Sequence, residues 1–255
     1  MKRALIVVGV VLVLLLVPIL IIGVTTFGGM TPLVDGTDLP GGAKLVKDGF
    51  TSIAVLPAGD GAVALIDCGD QEDGAPLVAE LKRRGLALDA VKAVFLTHGH
   101  PDHIGACHLL KNADIMALPG DVPLAEGTGR AKGPVPSKFD TPLGKRVKVT
   151  HPLTDGETVT VGPLSVKVYA VPGHTAGSAA FLATEVLYMG DSAGAASDGH
   201  LKGAPWVFSD DTEQNHQSLV ALASRLKSEG ATVKKTSFAH TGPVDGMEGL
   251  LRFKP

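Results

Sequence analysis

Seven consecutive residues, Thr97-His98-Gly99-His100-Pro101-Asp102-His103, carry three imidazoles and a carboxylate between a strand-like run, Val91–Leu96, and a helically spaced segment, Ile104–Lys111. A set of side chains this dense in ligating atoms belongs at a strand end, where a rigid sheet holds the loop and leaves its groups accessible. In extended backbone alternate residues point the same way, so His98 and His100 can face one cation. Asp102 and His103 come after Pro101, where the chain turns, and can face a second. Imidazole suits Zn, Fe and Ni, and a carboxylate keeps the set borderline-hard. The run therefore predicts a metal site.

Three later segments repeat the arrangement. Pro172-Gly173-His174-Thr175, Met189-Gly190-Asp191-Ser192 and Ala239-His240-Thr241-Gly242 each place a His or Asp after a β-prone run. Taken singly, each is a weak signal and reads more readily as a satisfied polar residue. The surrounding pattern is a strand hairpin (Thr51–Leu56 and Ala62–Ile66 about Gly59-Asp60-Gly61), a helix at Ala75–Arg84 closed by Gly85, and strands at Val91–Leu96 and Ala113–Leu118. Further strands are expected at Thr158–Val161, Leu164–Val171, Ala179–Ala183, Val186–Met189 and Val233–Ala239. A long helix is expected over Asp211–Glu229, capped by Asp211 or Thr212 and ended by Gly230, and a short one over Asp245–Arg252. Residues 119–146 read as a long surface loop. Two β-rich halves with helices outside indicate an α/β (α+β) layered domain.

On these residues the chain resembles the metallo-β-lactamase-fold superfamily. The signature H-x-H-x-D-H is matched at His98, His100, Asp102 and His103, and the later His, bridging Asp and last His at His174, Asp191 and His240. Leu65-Ile66-Asp67-Cys68-Gly69 resembles the family's early strand that ends in an Asp near the metals. The resemblance spans about residues 45–245. It implies a four-layer αββα sandwich of two packed mixed β-sheets. It also implies one metal on His98, His100 and His174, a second on Asp102, His103 and His240, and Asp191 between them. The pair is expected to be zinc, with Fe or Mn as alternatives, and to hold a bridging hydroxide. Water, Asp102 or another site carboxyl is expected to protonate the leaving group, and Asp67 is a candidate to orient a ligand imidazole.

True metallo-β-lactamases generally lack the bridging Asp, so Asp191 argues against antibiotics as the main substrate. Glyoxalase II proteins share all seven positions, but the basic, Cys-containing glutathione stretch expected after the bridging Asp is replaced by Ser192-Ala193-Gly194-Ala195-Ala196-Ser197. A small ester, lactone or thioester remains by elimination, with the 119–146 loop and Trp206-Val207-Phe208 as candidate pocket walls. A mononuclear-iron, persulfide dioxygenase-like oxidoreductase and a non-catalytic metal-stabilised binding domain are the competing classes.

The N-terminus carries a second strong signal. Ala4 to Ile22 has no charged or hydrogen-bonding side chain over 19 residues, enough for a helix of roughly 28 Å, about the thickness of a bilayer core. It lifts the mean hydropathy to +0.25. Lys2 and Arg3 precede it, and the positive-inside rule leaves residues 1–3 cytoplasmic and the rest outside, anchored in the membrane, or secreted should the segment be cleaved. Residues 23–45, rich in Gly, Thr and Pro, read as a linker to a catalytic domain at 46–255. Without Lys2 and Arg3 the chain holds 21 basic and 26 acidic residues, a balance that offers no footprint for nucleic acid. The expected partner is a small-molecule substrate. The two cysteines, Cys68 and Cys107, are compatible with a disulfide in an exported domain and equally with two buried thiols.

Overall fold

The computed structural model of the chain describes residues 28–254 together with Leu16, Val17, Leu20, Gly23 and Val24. The expected anchor, 4–22, otherwise lies outside the described residues, and no helix among those described is long and apolar enough to cross a membrane.

Seven strands form the first sheet: β1 (Thr37–Leu39), β2 (Ala43–Asp48), β3 (Thr51–Pro57), β4 (Val63–Ile66), β5 (Val91–Phe95), β6 (Asp114–Ala117) and β7 (His151–Pro152), ordered as in the chain. Pairing is antiparallel from β1 to β4 and parallel from β4 to β7. The second sheet contains β8 (Thr158–Val161), β9 (Leu164–Ala170), β10 (Ala179–Ala183) and β11 (Val186–Tyr188). A two-stranded ribbon, β12 (Ala193–Ala195) with β13 (Leu201–Gly203), follows; then β14 (Lys235–Ser237) and β15 (Val244–Asp245) complete the second sheet in the order β15-β14-β11-β10-β9-β8. Only β11 and β14 run parallel there.

Period-two side chains explain the layering. On β3, Ala54 and Leu56 enter the core between the sheets while Ile53 and Val55 face the outer core. Phe95 from β5 meets Phe181 from β10 edge to face across the central layer, at 5.5 Å between centroids. Leu77 and Leu81 of helix Ala75–Arg83 cover the outer face of the first sheet. Leu219, Leu222, Ala223 and Leu226 of helix Thr212–Ser228 cover the second. Two mixed sheets are thus sandwiched between helices, as expected.

Local signals hold where the chain closes its own hydrogen bonds. The Asp211 carboxylate accepts from Gln214 N at 2.9 Å and caps the long helix. Three expectations need correction. The first sheet begins at Thr37, inside the stretch read as a linker, because β1 and β2 pair in sequence onto β3. Ile104–Lys111 is not an α-helix; it holds only the 3-10 turn Cys107–Leu109, because the amides of Cys107, Leu109 and Leu110 close i−3 bonds to Ile104, Ala106 and Cys107. The 119–146 loop contains a short helix, Val122–Ala125, and three 3-10 turns. Cys68 and Cys107 form a disulfide, with Cα atoms 5.4 Å apart, which ties the end of β4 to the segment after His103.

Candidate metal centre

Every sequence-predicted ligand lies at one end of the sandwich. Parallel β4 and β5 deliver Asp67 and His98 from their carboxyl ends, and β9 leads into His174. β11 and β14 are parallel with Tyr188 opposite Ser237, so the residues that follow, Asp191 and His240, emerge side by side. The backbone between the sheets is stitched at the same end by Ala179 N donating to Thr97 O at 2.8 Å. Gly190 turns there with φ +53, and a Cβ at this position would lie 2.5 Å from Thr97 Cβ.

Two groups result. In the first, His98 Nε2, His100 Nδ1 and His174 Nε2 form a triangle with sides of 3.0, 3.1 and 3.1 Å. In the second, Asp102 Oδ2 lies 3.5 Å from His103 Nε2 and 3.4 Å from His240 Nε2. Asp191 sits between them: Oδ1 is 3.3 Å from His103 Nε2, and Oδ2 is 3.0 Å from His240 Nε2 and 3.6 Å from His174 Nε2. Both groups, and His98 with His103 and Asp191, bring their ligand atoms within 4.8 Å of one another, close enough to hold metal ions.

The outer nitrogens decide whether the inner ones can bind a cation. Thr97 Oγ1 donates to Asp67 Oδ2 at 2.7 Å, so it accepts from His98 Nδ1 at 3.1 Å. Ser209 Oγ donates to Pro205 O at 2.8 Å and accepts from His174 Nδ1 at 3.1 Å. His103 Nδ1 donates to Asp67 Oδ2, and His240 Nδ1 to Phe50 O, both at 2.8 Å. This network fixes a proton on the outer Nδ1 of each of these rings and turns Nε2 toward the centre; on His98 and His174, which burial keeps neutral, that Nε2 carries a lone pair. The buried atoms left without a hydrogen-bond partner include His103 Nε2 and Asp191 Oδ1, both aimed at the centre, and His100 Nε2 on the far side of its ring. An imidazole triangle in which His98 and His174 present lone pairs, beside an orphaned carboxylate oxygen, fits a cation site.

The two groups differ electrostatically. Burial holds His98 well below the ordinary imidazole value, lowers His100, and pushes His174 down to about 3. Burial also opposes charge on His103 and His240, but carboxylates outweigh it. Asp102, Asp67 and Asp191 hold His103 well above its usual range, and Asp191 with Asp102 raises His240 to about 10. Burial alone would raise Asp102; His103 and His240 instead bring it down to about 2.

Comparison with known proteins settles the lineage. The profile of the Metallo-beta-lactamase superfamily matches residues 46–240. The chain belongs to the metallo-beta-lactamase superfamily. It is 32% identical over 155 residues to a hydroxyacylglutathione hydrolase of Aliivibrio salmonicida (strain LFI1238), a match covering 61% of this chain and 50% of that protein. A hydroxyacylglutathione hydrolase of Legionella pneumophila (strain Paris) is 26% identical over 190 residues, 71% of this chain and 64% of the other. The chain thus spans about half the length of the first of these curated relatives. Among solved structures, one described as the first B3 metallo-beta-lactamase with an active site glutamic acid superposes with a TM-score of 0.63 at 18% identity, covering 87% of this chain and 86% of that one. At that identity the likeness concerns the fold.

This superfamily member also uses residues that the motif does not mark. Thr97 and Ser209 set imidazole tautomers, and Phe50 stacks on His240 with centroids 5.6 Å apart and planes 14° from parallel. The buried Asp121 joins the two loops behind the first group: Oδ2 accepts from Gly99 N at 2.7 Å and Thr175 Oγ1 at 2.8 Å, and Oδ1 from Gly177 N at 2.8 Å. Burial raises Asp121 to about 6 although those three donors pull the other way. Its sequence signal is faint: a lone acid after the strand-like Ala113–Leu118. Asp67 does reach a ligand ring, in a left-handed conformation at φ +60.

Proposed function

We propose that the chain is a metal-dependent hydrolase of small esters, lactones or thioesters. The observation that carries this reading is the pinning of four outer imidazole nitrogens, which turns four inner Nε2 atoms and the Asp102 and Asp191 carboxylates toward one end of the sandwich. His98, His100 and His174 would hold one divalent cation, Asp102, His103 and His240 a second, with Asp191 between; zinc is our choice, and Fe or Mn are alternatives. When bound, such cations supply a water nucleophile of lowered pKa and an electrophile for the carbonyl oxygen. The protein's own residues set the geometry. Asp67 keeps the His103 proton on Nδ1, Thr97 and Ser209 do the same for His98 and His174, and Phe50 holds the His240 ring by a carbonyl and a stacked face. Asp102, held near 2, stays ionised at neutral pH.

The reading includes the N-terminal segment 4–22 as a membrane anchor with the catalytic domain outside the cytoplasm. The Cys68–Cys107 disulfide supports an oxidising compartment.

The experiment is a substrate panel on metal-quantified protein: nitrophenyl esters, lactones, thioesters and phosphodiesters. Turnover of the carboxylic substrates, lost on chelation and restored by Zn, is the expected result. One Fe per chain with O₂ consumption would replace the hydrolase by the iron oxidoreductase, and an untouched panel would favour a binding domain.

A further inference from the structure

A cavity of about 480 Å³ borders the candidate metal centre, with Asp191 and His240 among its lining residues. That is a size suited to a small organic ligand, for which roughly 300–1,000 Å³ is usual. Its walls contain one lysine, Lys202, whose ammonium donates to Gly28 O at 2.9 Å. A polyanionic substrate would meet no cluster of free cations here. Apolar surface dominates instead: Met30, Pro32, Ala193, Pro205 and Trp206. Trp206 is the chain's single tryptophan, sits on the turn Trp206–Phe208 and remains 53% exposed on the cleft wall. The 119–146 loop, expected to wall the pocket, contributes none of the lining residues.

The outer wall comes from outside the two sheets. Residues 29–31 lie as a strap along the β12 ribbon: Thr31 N donates to Ala195 O and Ser197 N to Gly29 O, both at 2.8 Å, and Gly242 N to Thr31 O at 3.1 Å. Two glycines make room for it. A Cβ at Gly194 would lie 2.5 Å from Met30 Cε, and one at Gly242 would lie 2.7 Å from Pro32 O. A strap seated this closely is a built wall of the cleft.

We infer that this cleft is a subsite for the unbranched apolar acyl chain of the ester or thioester, gripped between Met30 of the strap and Trp206. Its chemistry rests on the hydrolase reading; its binding rests on the cavity alone. The carbonyl end lies toward Asp191 and His240, and the chain runs out between Met30 and Trp206. The strap follows the apolar run Ala4–Ile22 by only a few residues, so the proposed anchor would hold this mouth near the lipid–water interface, where amphiphilic esters concentrate.

Two measurements on the full-length protein test it. Trp206 fluorescence, titrated with butanol, hexanol and octanol, should report binding that tightens about three- to fourfold per added CH₂. With metal-loaded protein, the KM for 4-nitrophenyl acetate, butyrate and octanoate should fall along the series, and Met30→Ala should flatten that fall. Phe139→Ala, an exposed aromatic outside the cavity, should leave the series unchanged. Alkanol binding that lengthens with the chain while no ester is cleaved overturns the hydrolase reading and supports the subsite. Ester cleavage with a flat chain-length profile and a silent Trp206 overturns the subsite and leaves the hydrolase standing.

Discussion

The two halves of the metal centre are built from similar ligands and behave differently. The first, His98, His100 and His174, is buried, carries no carboxylate of its own, and keeps its imidazoles neutral by desolvation. The second, Asp102, His103 and His240, is partly open and ringed by acids that draw protons onto its imidazoles. A cation entering the first group meets lone pairs already free. A cation entering the second must displace protons, although the same carboxylates attract it. Proton linkage, more than ligand count, therefore separates the two positions.

The largest test removes the carboxylate that defines the second group. Asp102→Ala should reduce bound metal from two ions to one and lower kcat/KM about 10³-fold, with the fold intact by circular dichroism. Two ions retained would contradict the assignment. The next effect is pH dependence. His103 and His240 lie above neutrality in the metal-free centre, so they are protonated at pH 7 and metal uptake there releases one or two protons. Affinity at the second position should weaken about 10–100-fold per unit as pH falls from 8 to 6, while the first, with His174 near 3, stays nearly flat. Calorimetric titration of metal at several pH values separates the two.

Asp121 sharpens the contrast from behind the first group. Its folded-state value, about 6, lies above the ordinary 3.8, so the folded protein holds this proton more tightly than the unfolded chain. No cost arises below pH 4, and the cost grows as pH rises through 4 to 6, reaching about 3 kcal/mol above that range. In denaturant melts of metal-free protein, Asp121→Asn should gain on the parent by about that amount between pH 4 and 7. A pH-independent difference would break the account. The smallest effects come from the residues that set tautomers. Ser209→Ala should weaken the first position about tenfold and spare the second, while Asp67→Asn should weaken the second about tenfold and the first less, through Thr97 and His98. Equal losses at both positions would merge the two groups into one.

Legibility followed the range of the interactions. The helix Thr212–Ser228 was readable because Asp211 caps it within three residues and its apolar face repeats every turn. The ligand run was readable because His98, His100, Asp102 and His103 share one loop. Ribbon β12–β13 was not: Ala193-Gly194-Ala195 has no β preference, and it is a strand because β13 and the strap pair with it. Segment 104–111 carried helical spacing and is not an α-helix: its amides at Cys107, Leu109 and Leu110 close i−3 bonds, and the Cys107 side chain is tied to Cys68.

By itself the sequence determined which groups could bind a cation, the layered α/β class, and the order in which strand ends present those groups. Residue type and local spacing suffice for that, because ligand chemistry and period-two burial are local properties. Tertiary structure alone decided which imidazole nitrogen faces the centre, that Cys68 and Cys107 pair, and that Met30 and Trp206 enclose one cleft. Each of these depends on atoms brought together across the fold: Ser209 on His174, Phe50 on His240 from 190 residues away, and the strap on a ribbon of small residues that it helps to order.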